Sequence, residues 1–204
     1  MVVHVSEKDP RLEVDNITYP GETGEIMAHF AKPKGDEKYP GVIIIHENRG
    51  LNPHTEEVAR RVALKGFLAI APNALSPVGG TPEDSDEART LMGGLDGADT
   101  VSNFVAAAIY LKTHPRSTGK VGVTGFCWGG GMTNQVAVNS SDVQAAVPFY
   151  GRQPAVEDVP KIKASILAQY AGDDERINAG IPGYEAALKE SGVEYEVHMY
   201  EGAR

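Results

Sequence analysis

The sequence predicts an α/β fold in which a mostly parallel sheet carries helices on both of its faces. Short apolar runs alternate along the chain with longer stretches of helical periodicity, which is typical of strands joined by helices. The run 42–45 (Val-Ile-Ile-Ile) is apolar throughout, as expected for a parallel strand covered on both faces. The chain of 204 residues has the length of one domain, and we expect residues 1–204 to form it.

The first elements are predicted from turn and cap signals. Strands are expected at 12–19 and 25–31, and the intervening Pro20-Gly21 favours an antiparallel pair at one edge of the sheet. A helix is expected over 55–65, with Thr55 as its N-cap and Gly66 after its end.

The remaining elements follow from apolar runs and helical spacing. Further strands are predicted at 42–45, 67–71, 120–124, 145–149, 164–168 and 195–200. Further helices are predicted at 99–113, 130–138 and 182–191, and a short helical piece is expected near 83–92 within a loop-rich stretch. Apolar residues at helical spacing support the helix over 99–113, and Pro115 stops it.

Charge and composition disfavour several classes of function. The net charge of −9 and the pI of about 5.1 argue against nucleic acid or an anionic membrane surface as a partner. The single cysteine excludes an internal disulfide and fits a reducing compartment. Residues 1–10 lack a basic segment followed by an apolar stretch, so we expect no signal peptide, no membrane span and a cytoplasmic location. The mature form of an exported protein would share these features.

The segment Gly125-Phe-Cys127-Trp-Gly129 has the features of a nucleophile elbow. It joins a predicted strand to a predicted helix, which is the context that an elbow requires. Its glycines permit a tight turn and a close approach of helix to strand. The positive end of the helix favours the thiolate of the central cysteine. We therefore expect Cys127 to be a nucleophile rather than a small buried hydrophobe.

Four short strings and the order of elements resemble the dienelactone hydrolase family of α/β-hydrolases. The strings are Ile45-His-Glu47-Asn-Arg-Gly50, Gly125-Phe-Cys127-Trp-Gly-Gly130, Gly172-Asp-Asp174 and Tyr200-Glu-Gly-Ala203. The resemblance implies an α/β-hydrolase fold and an esterase or lactonase with a Cys-His-Asp triad, which works through an acyl-enzyme. With it we expect a small-molecule ester or lactone substrate, no cofactor, no metal, and a monomer or homodimer.

The resemblance assigns two carboxylates to the site. Asp174 takes the place of the triad carboxylate, with Asp173 as the alternative one residue earlier. Glu47 follows the predicted strand 42–45 and corresponds to a glutamate that assists activation of the thiol. The structural alternative for Glu47 is a surface pair with Arg49.

Further groups are needed to stabilise the oxyanion and to bind the substrate. The backbone N–H groups of Trp128 and Asn48 are expected to hold the oxyanion. Family enzymes that act on dienelactone bind its carboxylate with arginines, and the first of these positions falls near Ser85, which carries no charge. Dienelactone itself is therefore not the expected substrate. The residues that we expect to bind the substrate instead are Arg49, Arg89, Tyr150 and Arg152.

The catalytic histidine of the family follows the string that here reads Gly202-Ala-Arg204. We therefore expect this histidine, and the helix that closes the fold, beyond Arg204. The six histidines of the chain lie elsewhere, at positions 4, 29, 46, 54, 114 and 198. None matches the family position, and His198 is expected to be structural.

Other classes of function remain as alternatives. A catalytically incomplete binder or pseudoenzyme of the same fold is the main one, and a missing histidine after Arg204 would favour it. A thiol redox sensor would use Cys127, but the chain offers no second cysteine to resolve a sulfenic acid. A zinc site built on His46 and Glu47 is disfavoured, because Gly50 stands where His-Glu-x-x-His needs its second histidine. The glycines of 125–131 lack the spacing of a dinucleotide-binding loop.

Overall fold

The computed structural model describes residues 4–203, and in this part of the chain one eight-stranded sheet has the order β1-β2-β4-β3-β5-β6-β7-β8. The strands are β1 (Leu12–Gly21), β2 (Gly24–Pro33), β3 (Tyr39–Ile45), β4 (Leu68–Pro72), β5 (Ser117–Phe126), β6 (Ala145–Phe149), β7 (Ser165–Ala171) and β8 (Tyr195–Tyr200). Strands β3 to β8 pair in parallel, whereas β2 pairs antiparallel with both β1 and β4. The predicted parallel sheet with an antiparallel edge is confirmed.

Helices and short helical turns connect the strands. The helices are α1 (Pro53–Ala63), α2 (Ser85–Gly93), α3 (Gly97–Thr113), α4 (Trp128–Asn139), α5 (Glu175–Asn178) and α6 (Ile181–Glu190). Turns of 3₁₀-helix lie at Ser76–Val78 and Val156–Lys161. Neither of these turns, nor α5, was predicted, because segments this short carry too few apolar positions to show a period. No helix within residues 4–203 is long and apolar enough to cross a membrane.

The predicted start of α1 was wrong by two residues. Asn52, rather than Thr55, is the N-cap, because its side chain accepts the N–H of Thr55 at 2.9 Å. Pro53 then occupies the first turn, where its fixed φ suits a helix and its missing N–H leaves no hydrogen bond unmade.

Apolar side chains cover both faces of the sheet. In β3, Ile43 and Ile45 belong to the larger core, together with Phe104 of α3. Ile44, between them, points to the opposite face and belongs to the smaller core with Ala59 of α1. All three isoleucines are fully buried, which confirms that 42–45 is a strand covered on both sides.

The parallel strands bring the site residues to one edge of the sheet. Glu47 follows β3, Cys127 follows β5, Tyr150 follows β6 and Asp174 follows β7. Strands β3, β5, β6 and β7 are consecutive neighbours in the sheet. Their carboxyl ends therefore lie side by side, where open α/β sheets bind their ligands.

Candidate active site

The elbow holds Cys127 in a conformation that non-glycine residues rarely adopt. Its backbone angles are φ 55° and ψ −115°, between the end of β5 and the first residue of α4. The N–H of Cys127 donates to the carbonyl of Phe149 at 3.1 Å, and its own carbonyl accepts from Gly131 at 3.1 Å. These two hydrogen bonds hold Cys127 in a strained backbone conformation. Such a held, strained residue is typical of a functional turn. Cys127 as a whole is half-buried.

Glycines allow the elbow to pack against its neighbours. A Cβ on Gly125 would lie 2.3 Å from the carbonyl oxygen of Gly129, and one on Gly129 would lie 2.4 Å from that of His46. A Cβ on Gly130 would lie 2.3 Å from the carbonyl oxygen of Phe149. The glycines of the motif are therefore required by close backbone contacts between α4 and the ends of β3 and β6.

Glu47 and Tyr150 meet beside the elbow. The phenol oxygen of Tyr150 lies 3.5 Å from Oε1 of Glu47, and both residues are exposed at the surface of the site. Partial burial, followed by the charges of Glu47 and Cys127, raises the pKa of Tyr150 to about 12. The phenol therefore keeps its proton at neutral pH and can donate a hydrogen bond.

His46 is a structural residue of the loop after β3. Its Nδ1 lies 2.6 Å from the carbonyl oxygen of Glu47, and its Nε2 accepts the N–H of Ala74 at 3.1 Å. These partners assign the proton to Nδ1. The ring stacks on Trp128 at 5.6 Å, and burial lowers the pKa of His46 to about 4. Because both nitrogens are occupied, this histidine is not free to act as a base for Cys127.

The acidic loop after β7 is held against the end of β8. Oδ1 of Asp174 accepts the N–H of Ile177 at 3.1 Å, so the carboxylate caps α5. The N–H of Asp173 donates to the carbonyl of Ala203 at 2.9 Å, and that of Gly172 donates to Tyr200 at 2.8 Å. The segment 200–203 therefore runs directly beside the two aspartates.

Two other histidines of the described chain have local carboxylate partners. His4 contacts Glu57 at 2.9 Å, and His198 contacts Glu196 at 3.0 Å on the exposed strand β8. His54 is exposed in the first turn of α1. Neither of these two contacts links a histidine to Cys127.

The predicted arginines are spread over different surfaces. Arg49, beside Glu47, donates to Oγ of Ser85 at 2.9 Å and lies 3.8 Å from Asp86. Arg89 is exposed on α2. Arg152 lines an open groove of about 1130 Å³ between α3 and α4, and Cys127 and Glu47 are not among the residues that line it.

A cluster of potential metal ligands lies away from the elbow. Ligand atoms of Glu7, His29 and Glu56 lie within 4.8 Å of one another. However, Nη1 of Arg60 is 3.1 Å from Nε2 of His29 and 3.6 Å from Glu7. Because the guanidinium already supplies a cation to this cluster, a metal ion would have to displace it.

Sequence reasoning missed how Tyr150 is held. Its φ is 38°, and its N–H donates to the carbonyl of Gln169 at 2.7 Å. The sequence predicted Tyr150 near the substrate but gave no sign of this conformation or of its contact with Glu47. Gly151, directly after it, was the available signal, because a glycine at the end of a strand often marks a close backbone approach.

The sheet, the crossover helices and the strained strand–turn–helix segment define an α/β-hydrolase fold. The family model described as "Dienelactone hydrolase family" matches residues 26–204. The chain belongs to the dienelactone hydrolase family, which is a family of hydrolases. The expected family and fold are thereby confirmed.

Relatives and solved structures agree with this assignment. An Escherichia coli (strain K12) protein provisionally named carboxymethylenebutenolidase is 30% identical over 216 residues, covering 98% of this chain and 79% of the relative. The structure of P91, a promiscuous phosphotriesterase from metagenomic libraries described as dienelactone hydrolase-like, is 25% identical with a TM-score of 0.83, covering 95% of this chain and 83% of P91. The dienelactone hydrolase of Anabaena variabilis shares the fold at 23% identity and a TM-score of 0.72, covering 95% of this chain and 88% of that structure.

Proposed function

We propose that this protein hydrolyses carboxylic esters or lactones with the thiolate of Cys127 as nucleophile. The observation that supports this most strongly is the left-handed backbone of Cys127, held between β5 and the start of α4. A residue so constrained presents its side chain above the sheet edge, and the N-terminus of α4 favours its negative charge. Membership of the hydrolase family supports the reaction class.

In the first step, the thiolate attacks the carbonyl carbon, and the carbonyl oxygen becomes an oxyanion. We assign the N–H groups of Trp128 and Asn48 to this oxyanion. Within residues 4–203, neither N–H has a hydrogen-bond partner, so both are available to a ligand. Collapse of the tetrahedral species breaks the bond to the alcohol oxygen, which takes up a proton from solvent water, and leaves an acyl-enzyme on Cys127.

In the second step, water hydrolyses the thioester with the help of a base. We propose that this base is a histidine directly after Arg204, as the resemblance to the family implies. Asp174 would orient it, because the segment 200–203 is hydrogen-bonded beside the acidic loop. Glu47 acts earlier, in the first step, where it takes the proton of the Cys127 thiol before the thiolate attacks.

The charged side chains near the elbow indicate which class of substrate the site favours. Arg49 is the arginine nearest in sequence to Glu47, but Ser85 and Asp86 already contact its guanidinium. We therefore propose Arg49 as a weak anchor for polar groups of the substrate. We propose that Arg89 and Arg152 make more distant contacts with the substrate and that Tyr150 contacts it directly. Neutral small esters are the substrates that this arrangement favours.

The proposal is tested with a Cys127→Ala variant and p-nitrophenyl acetate. We expect the variant to lose turnover to the uncatalysed level, because no other side chain within residues 4–203 occupies a strand–turn–helix elbow. Cys127→Ser serves as the matched variant, since it keeps the shape of the side chain and is expected to retain weak activity. Thermal melting of each variant checks the fold. Turnover retained by a folded Cys127→Ala variant would refute the mechanism.

A further inference from the structure

We infer that Tyr150 is the positioning residue for Glu47, and that its phenol holds the Glu47 carboxylate beside the thiol of Cys127. The inference rests on the proposed roles of Cys127 and Glu47. In this role Tyr150 acts on the thiol through Glu47, in addition to any contact that it makes with the substrate.

Glu47 needs an external restraint. It is exposed, on the loop after β3, and in the described part of the chain the phenol of Tyr150 is the group that reaches its carboxylate. The neighbouring Arg49 is directed to Ser85 instead. The distance of 3.5 Å is long for a hydrogen bond, but such contacts in ligand-free active sites often shorten when the substrate binds.

The backbone of Tyr150 is fixed to the elbow itself. Its left-handed φ of 38° is maintained by the bond from its N–H to Gln169. The preceding carbonyl, that of Phe149, accepts the N–H of Cys127. The following residue, Gly151, approaches α4 so closely that a Cβ there would lie 2.1 Å from Gly130. A non-glycine residue in this region is strained, so the surrounding contacts must hold it there.

The chemistry of the Tyr150 phenol, the Glu47 carboxylate and the Cys127 thiol fits this role. The phenol of Tyr150 contacts the Glu47 carboxylate and senses the charges of both Glu47 and Cys127, whereas Arg49 is engaged by Ser85. The phenol remains a donor because its pKa is raised to about 12 by burial and by the charges of Glu47 and Cys127. When the S–H bond of Cys127 breaks, its proton forms an O–H bond with Glu47. By holding one carboxylate oxygen, the phenol keeps the other directed at the thiol.

A double-mutant cycle on the alkylation of Cys127 tests this inference. The rate with iodoacetamide is measured against pH for Tyr150→Phe, Glu47→Gln and the double variant. We expect Tyr150→Phe to slow alkylation at neutral pH by roughly tenfold, as for a lost hydrogen bond to a charged group. We expect no further loss when the same change is made in the Glu47→Gln background.

Tyr110→Phe is the matched control, since the phenol of Tyr110 has no hydrogen-bond partner among the contacts of the described residues and lies on α3. It should leave the alkylation profile unchanged. An equal loss from Tyr150→Phe in both backgrounds, or no loss in either, would overturn the inference. Alkylation needs no ester substrate, so a protein that shows the coupling but hydrolyses no ester would refute the proposed function and leave the role of Tyr150 standing.

Discussion

At the scale of residues, backbone strain is concentrated at the candidate site. Cys127 and Tyr150 are the non-glycine residues with positive φ in the described chain, and both follow neighbouring strands at one sheet edge. The position of Cys127 could be predicted, because the glycine spacing around it is local in sequence. The conformation of Tyr150 could not, because it depends on the packing of Gly151 against Gly130, which is distant in sequence.

The two adjacent aspartates give a prediction at this scale. We expect Asp174→Asn to reduce kcat/KM for an activated ester by at least roughly a hundredfold, because it removes the charge that we propose supports the base. Asparagine is also a good N-cap, so the hydrogen bond to Ile177 and the start of α5 should survive. Asp173→Asn is the matched control and should have a much smaller effect. A larger loss from Asp173→Asn than from Asp174→Asn would instead assign the triad carboxylate to Asp173.

At the scale of elements, close backbone contacts decide how α4 meets the sheet. The strands and longer helices could be predicted, since apolar runs and helical periods reflect burial directly. The boundary of α1 was misplaced, because Asn52 and Thr55 are both capable N-caps and only the observed hydrogen bond distinguishes them. The sequence also could not show which strand each elbow glycine approaches.

A glycine substitution tests the packing of α4. Gly129→Ala would place a Cβ 2.4 Å from carbonyl oxygens of His46 and Ile45, which are backbone atoms and cannot simply move aside. We expect a loss of about 1–3 kcal/mol in the free energy of unfolding, measured by urea denaturation. Gly97→Ala, at the start of α3, is the control because its Cβ would meet nothing within 4 Å. Equal stability of the two variants would show that α4 can shift at little cost.

At the scale of the whole molecule, the topology unites residues that are far apart in sequence. Glu47, Cys127, Tyr150 and Asp174 follow four strands that are consecutive in the sheet. The alternation of strands and helices predicted the fold class, but strand order and the groove between α3 and α4 arise from packing across the chain. The family assignment agrees with this architecture over residues 26–204.

Direct detection of an acyl-enzyme tests the central claim most sharply. The protein is mixed with p-nitrophenyl acetate, quenched in acid within the first turnover, and examined by intact-mass and peptide mass spectrometry. We predict a mass increase of one acetyl group, located on the peptide that contains Cys127 and absent from the Cys127→Ala variant. Turnover without any adduct on Cys127, or an adduct on another residue that is required for turnover, would contradict the account.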